Sequence, residues 1–358
     1  MLEKYNGHVT YGTVEKGTLH AAKRIKAINP KVKILFYLNA MVRMKYIVCF
    51  HYYISCIVNT NVLMFYNTHV YILFIPHIKQ QVHYDGYAAN KTFNRKWAMV
   101  DVKNNNKRLL WRDKWLSYDH TNAEFREWWI QRALDMLAHD EIDGIFVDGL
   151  CKVERSFLPV KNHGKAYLVT AKELRERLPT GKILIGNTIR ANMGKEGNYR
   201  YMRHLDGSYL ECWAQYPEHY GRTLQLMSKA LKQGRVIMLN AEAVVDEDEL
   251  NEIESLDARY DYLNKPKYID FPIGFFLLIV DEYAYISFHV GVDAKPAAKC
   301  VWDNTRFKAI TRKLGKPMGD YINEGRGNFS REFQYLKVHV NIKTQEGKLT
   351  VKDGKEEL

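Results

Sequence analysis

Short, nearly continuous apolar runs separated by amphipathic helices constrain this chain more than any other feature. The runs at 33–38, 142–148, 182–187, 208–212, 236–240 and 275–279 lack the polar alternation of a strand with one wet face. They suit a sheet covered on both sides, which is the parallel kind. Between them lie helical patterns at 124–137, 166–177, 220–233 and 247–262. In the first, Phe125, Trp128, Trp129, Ala133 and Leu137 recur largely at i, i+3, i+4, with Thr121 or Asn122 as N-cap. Strict alternation of strand and helix gives an α/β fold. No Gly-rich phosphate loop follows an early strand, which argues against a doubly wound nucleotide-binding sheet. Polar residues instead sit at or just past the strand ends: Asn39, Asp148, Asn187, Glu211 and Glu242. That is the habit of a (β/α)8 TIM-type barrel, whose site is built at the C-terminal ends of its strands. With Leu2 to Tyr5 the strands number seven, so the barrel is expected to lack its first.

Residues 1–290 are assigned to this barrel, and one stretch within them is foreign to it. Between Tyr46 and Ile78 there is no Asp, Glu, Lys or Arg. A run that long is a candidate membrane span, but His51, Asn59, Thr60, Asn61, Asn67, Thr68 and His69 interrupt it, and polar groups are expensive in hydrocarbon. Its Phe, Ile, Tyr and Asn are what AT-rich non-coding DNA translates into. Removing 42–81 joins Leu38-Asn-Ala-Met41 to Val82-His-Tyr-Asp-Gly86 and restores a strand followed by a short loop. Residues 42–81 are therefore read as a retained intron or, failing that, an inserted loop, with a membrane span ranked last. Residues 291–358 form an appendage: a short helix at 306–314, a break at Gly315-Lys-Pro317, then a β-hairpin from 333–342 and 348–351 around Glu346-Gly347.

The net charge of +12 invites an anionic partner. Basic residues alternate with acids, as in Lys172-Glu-Leu-Arg-Glu-Arg177, and no zinc-finger spacing, RNA-recognition motif or basic helix is present, which argues against nucleic acid. An acidic polysaccharide is the better use of the surplus, and solubility is the plain alternative. The 24 Tyr and seven Trp suit sugar platforms, cores and interfaces alike. Five cysteines make no dense disulfide framework and no metal-ligand spacing, so neither metal nor cofactor is expected. The oligomeric state is not indicated.

Several local motifs, taken together, resemble hypothetical glycosyl hydrolase family fifteen, which is unrelated to the similarly numbered glucoamylases. They are Leu2-Glu-Lys4, Gly17-Thr-Leu-His-Ala-Ala-Lys23, Ile28-Asn-Pro30, Leu38-Asn39, His83 to Asn90, Tyr118-Asp119, Arg126-Glu-Trp-Trp129, Ile142 to Gly149 with Lys152-Val153, Asn187-Thr-Ile-Arg190, Leu205 to Glu211 and Gly327 to Phe333. Each is weak alone; in this order they are specific. The family pattern has one more strand before Glu3-Lys4 and lacks the stretch near residue 60. The resemblance implies a barrel acting on polysaccharide, and a secreted protein if a signal peptide precedes the missing strand.

Glycoside hydrolysis uses two carboxylates flanking the scissile bond. In Asp-Gly-Ile-Phe-Val-Asp-Gly, Asp143 lies at the strand entrance and Asp148 at its exit, beside Gly149. Asp148 is therefore the leading catalytic candidate, against a cap for the next helix or a pair with Lys152. Glu211, two strands on, is the second, against a salt bridge with Arg190. Carboxylates on the fourth and sixth strands recur in retaining barrel glycosidases of the α-galactosidase clan. By that analogy Asp148 is the nucleophile and Glu211 the acid/base, roughly 5–5.5 Å apart. Glu3, Asn39, Asn187 and Arg190 suit sugar hydroxyls or a charged substituent, and Tyr37, Tyr84, Trp213 and Tyr209 suit stacking, although core packing is the favoured role for at least two of these aromatics. Glu242 is a third carboxylate able to displace Glu211, and Lys152 can tune a carboxylate. Trp128 and Trp129 belong to the outer helix. The competing function is a carbohydrate-binding or vestigial barrel without turnover.

Overall fold

A computed structural model describes residues 12–41, 87–101, 105–111, 115–150, 163–193, 196–211, 213–242, 245, 247–289 and 304–352, together with short strands at 3–5, 8–10, 47–49, 55–57, 72–73 and 82–84. It falls into two compact units. The first comprises Met1–Ile57, Leu73–Ile189 and Asn198–Ser208; the second comprises Val58–Ile72, Arg190–Gly197 and Tyr209–Leu358.

In the first unit, helix α1 (Val14–Ile28) leads to strand β1 (Lys33–Asn39), α2 (Ala123–Leu137) to β2 (Gly144–Asp148), and α3 (His163–Arg177) to β3 (Ile183–Asn187). Side-chain caps start two of the helices: Thr13 accepts from the Lys16 amide and Asn122 from the Phe125 amide. The three strands run parallel, with Asp148 opposite Asn39 and Val147 opposite Gly186. Consecutive residues Ile34, Leu35 and Phe36 are all buried, as are Ile145, Phe146 and Val147, so both faces of the sheet are covered, as the apolar runs imply. Strand β4 (Gly207–Leu210) begins in this unit and ends in the next.

The second unit contains α4 (Tyr220–Lys232), β5 (Val236–Glu242), α5 (Glu247–Glu252), α6 (Leu256–Leu263), α7 (Pro266–Ile279) and β6 (Ala284–His289). β5 and β6 are parallel, with Ile237 opposite Ala284. The chain is thus mixed α/β, built on six parallel strands, β1 to β6.

Three expectations are corrected. Residues 275–279 are not a strand: they close α7, in which Phe271 through Ile279 are all buried. A helix buried all round has no polar face, so its apolar run is indistinguishable from a buried strand by period. The neighbouring parallel strand is β6, which the sequence reading passed over. Second, Leu2 to Tyr5 is not a strand of the parallel series. Glu3–Tyr5 pairs antiparallel with His8–Thr10, in a separate sheet completed by Val82–Tyr84 and Ile47–Cys49. Third, the helix expected over 247–262 is two helices, because Ser255 interrupts it and caps α6 through the Ala258 amide. Of the uncharged stretch, residues 47–49 and 55–57 are strands, the latter antiparallel to β1. Among the described residues no helix is long and apolar enough to cross a membrane.

The C-terminal hairpin proves to be half of a four-stranded meander: β7 (Ile322–Gly325), β8 (Asn328–Glu332), β9 (Leu336–Asn341) and β10 (Glu346–Val351). The helix expected at 306–314 shrinks to a 3-10 turn at Asn304–Arg306 and a helical turn at Lys308–Thr311. Leu336, Val338, Val340 and Leu349 turn inward. The sheet lies so close to α7 that a Cβ on Gly347 would stand 2.3 Å from the Asp270 carbonyl. Arg331 fastens the two together. Its Nη1 donates to the carbonyls of Leu277 (3.2 Å), Leu278 (3.1 Å) and Val280 (2.8 Å), and its Nε donates to that of Gly319 (3.0 Å). A buried guanidinium thereby satisfies carbonyls that α7 leaves without an intrahelical partner.

Candidate active site

The C-terminal ends of β1, β2 and β3 converge on one carboxylate. Asp148 closes β2 half-buried. Its Oδ2 accepts from the Tyr37 hydroxyl at 2.6 Å and from Asn39 Nδ2 at 3.4 Å, and its Oδ1 accepts from Asn187 Nδ2 at 3.0 Å. Parallel register dictates this grouping. Tyr37 and Asn39 are two residues apart, hence on one face of β1. Asn39 stands opposite Asp148 on one side, and β3 brings Asn187 from the other. Burial, and then the negative charge of Asp148, push the Tyr37 hydroxyl well above the ordinary tyrosine range, so it remains a donor at all working pH values. Gly149 follows at φ +81°, and a Cβ there would press on Asn39 Oδ1 and the Met41 side chain at 3.2 Å. Glycine therefore lets the chain turn away while Asn39 Oδ1 accepts from the Met41 amide at 2.8 Å.

The other carboxylate of this strand segment is treated oppositely. Asp143, at the entrance, receives Lys26 Nζ at 2.6 Å, Lys33 Nζ at 3.1 Å and the Ile34 amide at 2.8 Å. Asp206 repeats the device two strands along, receiving Arg175 at 2.7 Å and the Leu184 amide at 2.7 Å. These are structural ties, neutralised by cations from α1 and β1 in one case and from α3 in the other. Asp148 is held by uncharged donors, and among the described residues it enters no ion pair. Among the described residues its carboxylate is thus oriented by neutral donors alone.

Two features that position the site escaped the sequence reading. The Trp129 indole donates to the Asn39 carbonyl at 3.0 Å from the fully buried face of α2. The wholly buried His120 contacts the Ala40 carbonyl through Nε2 at 2.6 Å and Thr170 Oγ1 through Nδ1 at 2.9 Å. Burial, with His163 next in effect, lowers the His120 pKa well below the usual value, so the ring stays neutral. Asp148's own carbonyl accepts from the Ala40 amide at 2.9 Å, so both residues brace the turn beside it. The Trp at i+4 from Phe125 was a readable core signal; nothing local marks His120.

In the second unit Arg190 Nη2 reaches Glu211 Oε2 at 3.3 Å, the salt bridge weighed against a catalytic role. Trp213 is not a stacking platform. It is 5% exposed, lies parallel to Phe275 with centroids 4.3 Å apart, and donates to the Asn240 carbonyl at 2.6 Å, so it is core. Tyr37 likewise is engaged through its hydroxyl, while its ring stacks on Phe146 at 6.0 Å. Lys152 lies outside the described residues, as do the side chains of Glu3, Tyr84 and Glu242. Among the described residues no cluster of three His, Cys, Asp or Glu could hold a metal ion.

Solved structures with some likeness include three glycosidases. A noncanonical maltogenic α-amylase from Thermotoga neapolitana is 13% identical over 69% of this chain and 59% of its own, with a TM-score of 0.35. An α-amylase from Anoxybacillus is 10% identical over 71% and 61%, with a TM-score of 0.40. A GH36 α-galactosidase from Geobacillus stearothermophilus is 10% identical over 71% and 34%, with a TM-score of 0.34. The chain therefore spans about 60% of the length of the two amylases. No curated protein matches it in sequence. Residues 58–337 match the model of hypothetical glycosyl hydrolase family 15, and the chain belongs to that family.

Proposed function

We propose that the chain is a glycoside hydrolase that cleaves O-glycosidic bonds in a polysaccharide or oligosaccharide, on a (β/α)8 barrel of which β1 to β6 are members. One observation carries the reading: a strand-end carboxylate held by Tyr37, Asn39 and Asn187, with no cation bound to it among the described residues. In a retaining reaction Asp148 bonds to the anomeric carbon as the glycosidic C–O bond breaks. Glu211 gives its proton to the leaving oxygen, then takes one from the water that releases the sugar. Arg190 orients Glu211 between these roles.

The Arg190–Glu211 pair favours a second reading, because it gives that carboxylate a structural partner. In that reading the chain binds carbohydrate without turning it over. Turnover of the full chain on a panel of plant, algal and animal glycans separates the two, alongside Asp148→Asn and Glu211→Gln. The hydrolase reading expects losses of about 100-fold or more in each, with azide restoring activity to a variant lacking its nucleophile. Equal turnover in wild type and both variants removes these residues from catalysis, and binding without turnover by any of them favours the second reading.

A further inference from the structure

The chain leaves β1 at Asn39 and enters α2 at Ala123, and the described part of this excursion over residues 87–118 is tied to the end of β1 that carries Asn39, which stands opposite Asp148. Part of this excursion is a built subdomain. The Met99 amide donates to the Ser117 carbonyl at 2.8 Å, Leu109 to Met99 at 2.9 Å and Ser117 to Leu109 at 3.0 Å. It is bolted to the end of β1: the Tyr118 amide donates to the Met41 carbonyl at 2.8 Å, and the Tyr87 hydroxyl to the Tyr37 carbonyl at 3.0 Å.

Its composition differs from the rest of the chain. Five of the seven tryptophans fall between 97 and 129, and residues 87–116 contain eight Lys or Arg against two Asp, half of the net +12. Trp129 is core, while Trp97 and Trp128 are half-buried with their N–H groups on Glu124 and Thr92. Trp111 and Trp115 stand directly opposite each other across an antiparallel pair, both half-exposed, next to Leu110, which is 42% exposed. Lys91, Arg95, Lys96 and Lys107 are exposed, and among the described residues none of the four enters an ion pair.

We infer that the described part of this excursion carrying Lys91, Arg95, Lys96, Lys107, Trp111 and Trp115 is a docking platform for an anionic polysaccharide, the indoles lying against the C–H faces of the sugars and the four cations meeting carboxylate or sulfate substituents. The inference rests on the glycosidase reading for its choice of a glycan, and it names the substrate class. Charge complementarity selects the ligand: a neutral glycan needs the indoles but has no use for the exposed cations.

Binding is measured on the full chain carrying Asp148→Asn, so that turnover plays no part. The probes are polygalacturonate, its fully methyl-esterified neutral form, dextran sulfate and single-stranded oligothymidylate, at 50 and 200 mM NaCl. Polygalacturonate or dextran sulfate is expected to bind at least tenfold more tightly than the ester, and the preference should shrink at the higher salt. Which of the two wins tells carboxylate from sulfate recognition. The pair Arg95→Glu and Lys96→Glu should remove that preference without changing the melting temperature. Trp111→Ala with Trp115→Ala should weaken all glycan binding at least tenfold. Equal affinity for acid and ester, no binding to any glycan, or tighter binding to oligothymidylate would each overturn the inference, whatever Asp148 proves to do.

Discussion

Replacing Tyr37 with Phe tests the electrostatic reading of Asp148 with a single oxygen atom. The hydroxyl stands 2.6 Å from Asp148 Oδ2, whereas the remaining donor to that oxygen, Asn39 Nδ2, is at 3.4 Å and also uses the Tyr37 hydroxyl as an acceptor at 3.2 Å. Phe keeps the ring on Phe146, so packing is retained and the change removes a hydrogen bond to a charged group together with the weaker one accepted from Asn39. Such a bond contributes about 1.5–3 kcal/mol. If it holds the carboxylate in its reactive geometry, kcat/KM falls by roughly 10- to 150-fold. Asn39, freed of one acceptor, can close on Asp148 and limit the loss to the lower end. The assay is steady-state hydrolysis with a chromogenic glycoside, in a double-mutant cycle with Asp148→Asn. Because the hydroxyl acts through the carboxylate, the double variant should be no slower than Asp148→Asn alone. A Tyr37→Phe protein within threefold of wild type, or losses that simply multiply in the double variant, would refute the reasoning.

Other consequences concern stability. Arg331→Met strips four hydrogen bonds from the end of α7 and from Gly319, and should cost about 3 kcal/mol. Thermal melting should fall by about 6–12 °C, with Arg331→Lys intermediate because an ammonium cannot span the same carbonyls. Asp143→Asn leaves Lys26 and Lys33 facing each other without their shared anion. It should cost about 1–3 kcal/mol in urea unfolding while the folded variant keeps wild-type kcat. His120 has its folded pKa depressed by burial, so below the unfolded value of about 6.5 the unfolded chain takes up a proton that the folded chain refuses. The stability is fully present above that pH. It is lost below it at about 1.4 kcal/mol per pH unit, a slope that urea midpoints between pH 7 and 5 should show and that His120→Gln should reduce.

The parallel strands were legible because burial on both faces erases polar alternation, and the place of Asp148 at a strand end was legible from the same apolar run. Burial equally explains the failures. Residues 275–279 are covered by β9 and β10, as the close approach of Gly274 to Val340 shows, and an element enclosed on all sides carries no period to read. Trp213 was misplaced for a related reason. An aromatic just past a strand end can face ligand or turn back onto the core, and Phe275, in a segment misassigned as a strand, was the partner that decides it. The role of Tyr37 was recoverable: spacing by two from Asn39, with parallel register, puts its hydroxyl beside the strand-end aspartate.

Those two ends of one strand segment give the strongest reason to treat Asp148 as chemical and not structural. Asp143 and Asp148 are five residues apart and are flanked by the same two neighbouring strands, so sequence and register alone do not rank them. The surroundings do. Where a carboxylate serves to hold strands in place, the fold supplies Lys26, Lys33 and a backbone amide, and it repeats that solution with Arg175 at Asp206. A cation at Asp148 would have been as easy to place. The strand ends offer a phenol and two carboxamides instead, groups that fix a carboxylate in orientation while leaving its charge to act on whatever enters. A half-buried aspartate held by neutral donors lacks the compensation that the described ion pairs give Asp143 and Asp206, and the proposed glycosidase reaction is one that would use a carboxylate so placed.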